Sequence, residues 1–229
     1  MKAVVVLSGG QDSATCLALA VKRHGAAEVA AITFDYGQRH ALETKYARRL
    51  ARLIPALVEP SCRGGVLHKV VRLGFYRDLT ANALFDRGAK IVREPGAKCP
   101  NTVVEGRNAV FLQLAAVWAK TLGATELYTG VSEADYSGYP DCRAVFIRAQ
   151  QRAIRLALDY PIKIVTPFVR KSKAYEWALA DRLGILDAIR NETVTCYNGI
   201  PGDGCGSCPA CILRSKGYRE WMSSTKTTR

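Results

Sequence analysis

The chain has 229 residues, of which 48% are hydrophobic, so it can bury a core of its own and is not an intrinsically disordered chain. It carries 33 lysines and arginines against 20 aspartates and glutamates, and the net charge of +13 would attract a nucleotide or a nucleic acid. Because the arginines are spread along helical stretches, we interpret this charge as a solvated surface and expect no direct nucleic-acid partner. No apolar run is long enough to cross a membrane, and the amino-terminal run is too short for a signal peptide, so we expect a cytoplasmic protein with no membrane partner.

The chain opens with a strand, a glycine-rich loop and a helix. An apolar run at 3–7 predicts a buried strand, and residues 14–21 place aliphatic side chains on one helix face. A second strand at 29–34 and a helix at 40–53 repeat this unit. Further helices and strands are predicted in alternation at 108–122, 126–131, 144–158, 162–167 and 172–183. The alternation predicts an α/β fold with a doubly wound, mostly parallel sheet that binds ligands at the carboxyl ends of its strands.

Two segments depart from this alternation. Residues 60–100 contain several glycines, prolines and charges, and we predict an irregular excursion there. Towards the end of the chain the composition changes to cysteine, glycine and proline. We therefore predict an α/β domain over 1–190, a small helical subdomain over 191–222 and a frayed basic tail over 223–229.

The loop after the first strand reads SGGQDS, from Ser8 to Ser13. At the start of a helix its backbone N–H groups would bind an anion, and glycine lets a phosphate approach closely. It has neither the lysine and spacing of GxxxxGK[ST] nor the pattern GxGxxG. The pattern SGGxDS instead resembles the PP-loop of the ATP pyrophosphatases, which bind the pyrophosphate end of ATP and cleave between its α and β phosphates. Ser8 and Ser13 would then donate hydrogen bonds to phosphate oxygens, while Asp12 would either cap the helix or help to hold Mg²⁺.

Half of the eight cysteines fall within one short, glycine-rich stretch, which argues against a disulfide framework. They are Cys196, Cys205, Cys208 and Cys211. Because four thiolates close a tetrahedral shell, the spacing predicts one structural Zn²⁺ per subunit and makes 191–222 a zinc-binding subdomain. An iron–sulfur cluster is the alternative. We favour zinc because no redox cofactor motif accompanies the cysteines.

Three further motifs extend over nearly the whole chain. They are FDYGQRH at 34–40, GVSEADYSGYPDCR at 130–143 and TCYNG at 195–199. Together with the PP-loop and the cysteines, they make the chain resemble the 7-cyano-7-deazaguanine synthases, the QueC family of queuosine biosynthesis. The resemblance implies a Rossmann-like fold of the adenine nucleotide alpha hydrolase type. One departure is Glu105, which stands where the family usually has a proline two residues before an Arg-Asn pair.

This resemblance implies a ligase that forms a carbon–nitrogen bond. Such an enzyme converts 7-carboxy-7-deazaguanine and ammonia to 7-cyano-7-deazaguanine (preQ0) through an adenylated acid and an adenylated amide, and it releases AMP and pyrophosphate. The implied cofactors are Mg²⁺ with ATP and one structural Zn²⁺ per subunit. The implied assembly is a homodimer.

The motifs and the resemblance together assign roles to individual residues. The predicted catalytic residues are Ser8, Asp12, Ser13, Arg107 and Arg143. The predicted ATP-binding residues are Leu7, Ser8, Gly9, Gly10, Gln11, Asp12, Ser13, Ala14, Thr15, Cys16, Leu17, Phe34, Tyr36, Gln38, Arg39 and His40. The predicted substrate-binding residues are Asp135, Tyr136, Ser137, Tyr139, Asp141 and Arg143. A carboxylate there would accept paired N–H groups of a deazaguanine, a tyrosine would stack on its ring, and an arginine would hold the substrate carboxylate or the α phosphate. We interpret Cys142 as a packed thiol in preference to a nucleophile.

Three alternatives remain open at this point. A PP-loop enzyme that modifies tRNA, by thiolation or lysidine formation, would suit the positive charge. A non-catalytic zinc-knuckle module that binds RNA would explain the cysteines but not the SGGQDS loop at the end of a strand. A ligase that attaches a deazaguanine to a protein would use the same adenylation.

Overall fold

Five parallel strands form one sheet in the computed structural model, which describes residues 1–38, 42–80, 82–85, 88, 101–133 and 139–227. The strands are β1 Ala3–Val6, β2 Val29–Asp35, β3 Leu67–Arg72, β4 Glu126–Tyr128 and β5 Lys163–Val165. They lie in the order β3-β2-β1-β4-β5, and each pair of neighbours is parallel. The chain winds from β1 to one side and then returns to the other, which confirms the predicted doubly wound, Rossmann-like sheet. The winding direction reverses between β1 and β4, where sheets of this kind bind their ligands.

Helices cover both faces of this sheet. The α-helices of the described residues are α1 Gln11–His24, α2 Leu42–Val58, α3 Arg107–Thr121, α4 Ala144–Leu158, α5 Lys173–Arg182, α6 Leu186–Asn191 and α7 Pro209–Thr227. Along β1, Val5 packs in the core shared with α1, α2, α5, α6 and α7, whereas Val4 packs in the core shared with α3 and α4. Burial on both faces explains why β1 is a continuous apolar run and does not alternate with polar residues.

The edge strand β3 corrects the sequence analysis, which predicted irregular structure throughout 60–100. Pro55 within α2 has no N–H, so the carbonyl of Ala51 is free to accept a hydrogen bond from Val66 N at 3.0 Å. Gly65, at φ +74°, permits this approach, since a Cβ there would lie 2.6 Å from Ala51 O. The chain then enters β3, which pairs with β2 at the edge of the sheet formed by the described residues. Its side chains are half-buried or exposed, so it lacks the apolar pattern that identified β1.

Helix α7 also differs from the expectation, because it continues through Thr227, whereas a frayed tail was predicted from residue 223. The Ser223 hydroxyl donates a hydrogen bond to Arg219 O at 2.9 Å, within the helix. Trp221 is buried in the same core as α1 and α5. Helix α7 therefore packs on the core of the α/β domain at Trp221.

Other boundaries shift by a few residues. β4 and β5 are shorter than predicted, and α2 extends to Val58. Within the described residues, no helix combines the length and the apolar composition that a membrane span needs.

Candidate functional site

The glycine-rich loop lies at the carboxyl end of β1, the central strand of the sheet, and leads directly into α1. Ser13 Oγ donates to Gly10 O at 3.0 Å and lies 3.0 Å from Ser8 Oγ, while Ser8 N donates to Ser13 Oγ at 3.1 Å. Gly9 adopts φ +94°, and a Cβ there would lie 2.6 Å from the carbonyl oxygen of Glu43 in α2. The serines therefore close the loop on itself, and glycine is the residue that fits at position 9.

The end of β4 passes equally close to the start of α1. A Cβ on Gly130 would lie 2.8 Å from Asp12 Cβ and 3.0 Å from Ser13 N. Two neighbouring strand ends thus converge on the loop at the point where the sheet reverses its winding. This geometry suits an anion at the helix start, where α1 presents backbone N–H groups.

Side chains that follow the loop contribute to the core. Among the predicted ATP-binding residues, Leu7, Ala14, Cys16 and Leu17 are fully buried apolar or thiol groups. Thr15 is buried as well, and its Oγ1 donates to Gln11 O at 2.9 Å. These residues hold the helix against the sheet.

Asp12 pairs with a lysine that the sequence analysis did not select. Lys173 Nζ, at the first residue of α5, lies 2.7 Å from Asp12 Oδ2 and 3.0 Å from Glu176 Oε1. Burial opposes ionisation of Asp12, but the Lys173 ammonium, hydrogen bonding to Lys173 and Glu176, and the charge of Arg214 together outweigh it and hold the pKa of that carboxyl below its ordinary value. The N-cap of α1 is Gly10, without a side-chain cap, so Asp12 forms an ion pair and does not cap the helix.

The position of Lys173 depends on a close crossing of two helices. A Cβ on Gly217 of α7 would lie 2.8 Å from the backbone carbon of Lys173. The absence of a side chain there lets α7 pack directly on the start of α5. Glu176 is fully buried, and Lys173 is nearly so. The sequence feature that could have indicated Lys173 is its spacing of one helical turn from Glu176 after a strand. Such lysine–glutamate pairs are common on solvated helices, so this spacing alone does not identify a site.

The end of β2 is linked to the start of α3. Arg107 NH1 donates to Tyr36 OH at 3.0 Å, and its guanidinium also lies 5.6 Å from the centre of the Tyr36 ring. Gln38 Oε1 accepts a hydrogen bond from Tyr36 N at 2.9 Å, and its Nε2 lies 3.5 Å from Glu43 Oε2. Phe34 stacks on Phe111 with ring centres 4.3 Å apart.

Glu43, in the first turn of α2, lies at the same edge. Burial raises the pKa of Glu43 to about 7, and Arg107 opposes the rise. The sequence analysis did not select it. The predicted ATP-binding residues Arg39 and His40 lie outside the described residues.

The predicted substrate segment is described from Tyr139 onward, and Asp135, Tyr136 and Ser137 lie outside the described residues. Tyr139 OH lies 2.7 Å from Thr102 Oγ1 and 3.3 Å from Tyr197 OH, which joins this segment to the cysteine-rich region. The two tyrosine hydroxyls lie within hydrogen-bonding distance of each other.

Two members of the same segment have local partners. Asp141 Oδ2 accepts a hydrogen bond from Asn108 N at 2.9 Å, so this oxygen is used at the first turn of α3. Cys142 is buried and accepts a hydrogen bond from Asn108 Nδ2 at 3.3 Å, as expected for a packed thiol. Arg143 is exposed, and its Nε donates to Pro140 O at 3.1 Å.

The four cysteines come together as the spacing predicted. Their Sγ atoms all lie within 4.8 Å of one another, and Cys208 Sγ and Cys205 Sγ lie 3.4 and 3.9 Å from Cys211 Sγ. Four sulfurs at the zinc–sulfur bond length would be separated by about 3.8 Å, so these residues fit a tetrahedral metal ion. Gly204, at φ +74°, leaves space that a side chain would take from the Cys211 sulfur.

Polar groups around Cys205 support its thiolate form. Asn198 Nδ2 and Ser207 Oγ each lie 3.4 Å from Cys205 Sγ, and Cys208 N donates to it at 3.3 Å. The hydrogen bond from Ser207 is the main cause that lowers the pKa of Cys205 to about 5. Metal ligands commonly have such outer partners, which orient them.

Comparison of the sequence with known protein families identifies one that matches nearly the whole chain. Residues 2–222 match the family model described as "Queuosine biosynthesis protein QueC". Among solved structures, the chain is similar to a 4-thiouridine synthetase in complex with RNA and bound ATP, with 19% identity and a TM-score of 0.52 over 96% of this chain and 50% of that chain. The low identity means that this likeness supports the fold alone.

Two other solved structures resemble the chain more distantly. They are an NH3-dependent NAD synthetase from Campylobacter jejuni subsp. jejuni NCTC 11168 (16% identity, TM-score 0.46) and an NMN synthetase from Francisella tularensis (16% identity, TM-score 0.49). Each match covers 82% of this chain. The chain spans 66% and 63% of the length of these two proteins.

Proposed function

The chain belongs to the QueC family of queuosine biosynthesis proteins, and from this premise we propose that it is an ATP-dependent ligase that makes 7-cyano-7-deazaguanine. Its substrates would be 7-carboxy-7-deazaguanine, ammonia and ATP, and its other products AMP and pyrophosphate. The observation that carries the proposal is a family match over residues 2–222 that includes an intact SGGQDS loop at the reversal point of the sheet. The cytoplasmic location remains a prediction from the apolar pattern of the sequence, and the homodimer remains a prediction from the family resemblance.

The order of the chemical steps follows from the leaving group that each intermediate carries. A carboxylate does not expel oxide, so one of its oxygens attacks the α phosphorus, the bond to the β phosphate breaks, and pyrophosphate leaves with the electron pair. Ammonia then attacks the acyl carbon, AMP leaves with that oxygen, and one proton is lost to give the amide. In a second round the amide oxygen is adenylated in the same way. Loss of AMP and two protons from the nitrogen leaves the nitrile.

The loop and its neighbours supply binding and charge. Ser8, Ser13 and the backbone N–H groups at the start of α1 would hold the β and γ phosphates. Lys173, held beside the loop by Asp12 and Glu176, would balance the negative charge that grows on the departing pyrophosphate. Arg107, the first residue of α3, donates a hydrogen bond to Tyr36 beyond the end of β2. It would hold the α phosphate or the substrate carboxylate.

Two metals accompany this proposal. Mg²⁺ bound to ATP takes most of its ligands from phosphate and water, so it needs few protein groups. The four cysteines are the one cluster of three or more potential metal ligands within the described residues. They would hold Zn²⁺, which lacks an open coordination position there and therefore stabilises the structure.

The test is to incubate the purified protein with ATP and 7-carboxy-7-deazaguanine, with and without ammonium, and to identify products by mass spectrometry. We expect the nitrile, with AMP and pyrophosphate released at each turnover, only when ammonium is present. An acyl-adenylate without nitrile in the presence of ammonium, together with transfer of the deazaguanine to a lysine of an added protein, would favour the protein ligase. Sulfur incorporation into tRNA would favour the thiolation alternative.

A further inference from the structure

Arg214 joins the cysteine cluster to the phosphate loop. It lies in α7, three residues after Cys211, and is 3% exposed. Its NH1 donates to Thr193 Oγ1 at 2.8 Å and to Thr195 Oγ1 at 3.1 Å. Its NH2 donates to the carbonyl oxygens of Ile189 at 2.8 Å and Arg190 at 3.0 Å. The planar guanidinium thus holds one stretch of backbone and two hydroxyls at once, which a lysine cannot do.

The stretch that Arg214 holds is itself bonded to the loop. Thr195 Oγ1 accepts a hydrogen bond from Gln11 N at 3.3 Å, and Val194 N donates to Gly9 O at 2.9 Å. Across the described residues, neither polar atom of the buried Gln11 side chain has a hydrogen-bond partner. Gln11 is therefore fixed to its surroundings through its backbone N–H. Val194 and Thr195 thus hold the loop at its junction with α1.

Thr195 and Arg214, the two side chains of this connection, each lie close in sequence to a predicted metal ligand. Thr195 immediately precedes Cys196, and Arg214 follows Cys211 by one helical turn. A tetrahedral metal ion would fix Cys196 and Cys211 relative to each other, and so would fix the distance between the hydroxyl and the guanidinium. A hydrogen bond from Trp177 Nε1 to Arg214 O at 3.2 Å secures the same turn of α7 to α5.

We propose that Arg214 is a positioning residue that sets the phosphate loop through Thr195 and thereby makes ATP binding depend on the metal-bound cysteines. This proposal rests on the proposed function only in taking ATP as the ligand of the loop. Its consequence is that removal of the metal loosens the loop, although no cysteine touches the nucleotide.

The test compares Arg214→Lys and Thr195→Val with the wild type. For each protein, zinc content is measured by elemental analysis, affinity for a non-hydrolysable ATP analogue by calorimetry, and exposure of the loop amides by hydrogen exchange. We expect both variants to keep about one metal ion per chain, to bind the analogue about tenfold to a hundredfold more weakly, and to exchange the loop amides faster. Thr195→Ser, which keeps the hydroxyl, should behave as the wild type.

Thr193→Val is the matched control. Thr193 contacts Arg214 and donates to Ile189 O at 2.6 Å, but the loop is bonded to its neighbours Val194 and Thr195. This variant should lower stability and leave the affinity for the analogue unchanged. If Arg214→Lys fails to fold, Thr195→Val decides the question alone.

Wild-type affinity and wild-type loop exchange in Thr195→Val would overturn the proposal. So would equal losses in Thr193→Val and Thr195→Val, because they would indicate a general effect on folding. The analogue requires no turnover, so a wild type that binds it but forms no nitrile would contradict the proposed function and leave this test intact.

Discussion

Lys173 Nζ lies 2.7 Å from Asp12 Oδ2. This ion pair joins the first residue of α5 to the phosphate loop, in the part of the loop that forms the first turn of α1. The same ammonium lies 3.0 Å from Glu176, which is fully buried. This cation contributes to holding the pKa of Asp12 below its ordinary value. Removing it would leave two acidic side chains without their cation beside the site at which a polyanion is proposed to bind.

Lys173→Met should therefore abolish AMP formation and destabilise the fold. We expect activity to fall by a factor of about a hundred or more, because the positive charge next to the loop is lost. Stability should fall by about 3 to 5 kcal/mol, the usual cost of leaving a buried charge without its partner. Chemical denaturation and an assay of AMP measure the two effects. Lys171→Met, at an exposed neighbouring position, is the control.

A double variant separates the two roles of Lys173. In Lys173→Met combined with Glu176→Gln, a neutral amide replaces the buried carboxyl group when the cation is removed, so part of the stability should return. Activity should stay low. Recovery of activity together with stability would show that Lys173 acts only on the fold.

The metal assignment predicts a colourless protein with about one zinc ion per chain. Cys208→Ala should lose the metal and unfold more easily, as measured by elemental analysis and thermal denaturation. Cys62→Ala, which lies outside the cluster, should retain the metal. A brown protein that contains iron would contradict the zinc assignment and indicate an iron–sulfur cluster.

Gly130→Ala tests the close packing of β4 against the loop. The added Cβ would lie 2.8 Å from Asp12 Cβ and 2.9 Å from the backbone carbon of Asp12, so one of the two must move. We expect kcat/KM for ATP to fall about tenfold to a hundredfold, since a small displacement of a positioning group has this effect. Gly64→Ala, whose Cβ would meet nothing within 4 Å, should be neutral. Normal kinetics in Gly130→Ala would mean that the loop has more freedom than the geometry indicates.

Glu43 predicts a pH dependence of stability. Burial raises the pKa of Glu43 from 4.5 to about 7, so the folded state binds more protons than the unfolded chain between these values. Its stabilising contribution is complete below pH 4.5 and is lost as the pH rises to about 7. Glu43→Gln, which stays neutral, should gain stability relative to the wild type over this range and show a constant difference above it.

Denaturation by urea at several pH values measures that difference. Asp78→Asn changes an exposed carboxylate and should give a difference that does not vary in the same way. A constant difference between Glu43→Gln and the wild type from low to neutral pH would show that the Glu43 carboxyl is not perturbed.

Local patterns gave the predictions that the structure confirmed. The apolar run of β1 and the SGGQDS loop specify a strand, a turn and a helix within a few residues, and the spacing from Cys196 to Cys211 brings sulfurs together without a long-range contact. The identification of the family relied on motifs of the same local kind.

Long-range packing decided the features that the sequence analysis missed. Lys173 became part of the site because α7 crosses α5 at Gly217, which no pattern near Lys173 reveals. β3 was missed because an edge strand need not be apolar. Asp141 Oδ2 accepts a hydrogen bond from Asn108 N in the first turn of α3. This contact joins two segments that are far apart in the sequence, so no local pattern indicates it.

In the proposed reaction one site adenylates the same substrate twice, because a carboxylate has two oxygens and a nitrile has none. The most direct measurement uses 7-carboxy-7-deazaguanine with oxygen-18 in both carboxylate positions and follows the label by mass spectrometry. We expect two AMP molecules per nitrile, each with one labelled oxygen, and conversion of the supplied amide to nitrile with ATP alone. Label in inorganic phosphate, ADP as the nucleotide product, or an amide that does not react would contradict it.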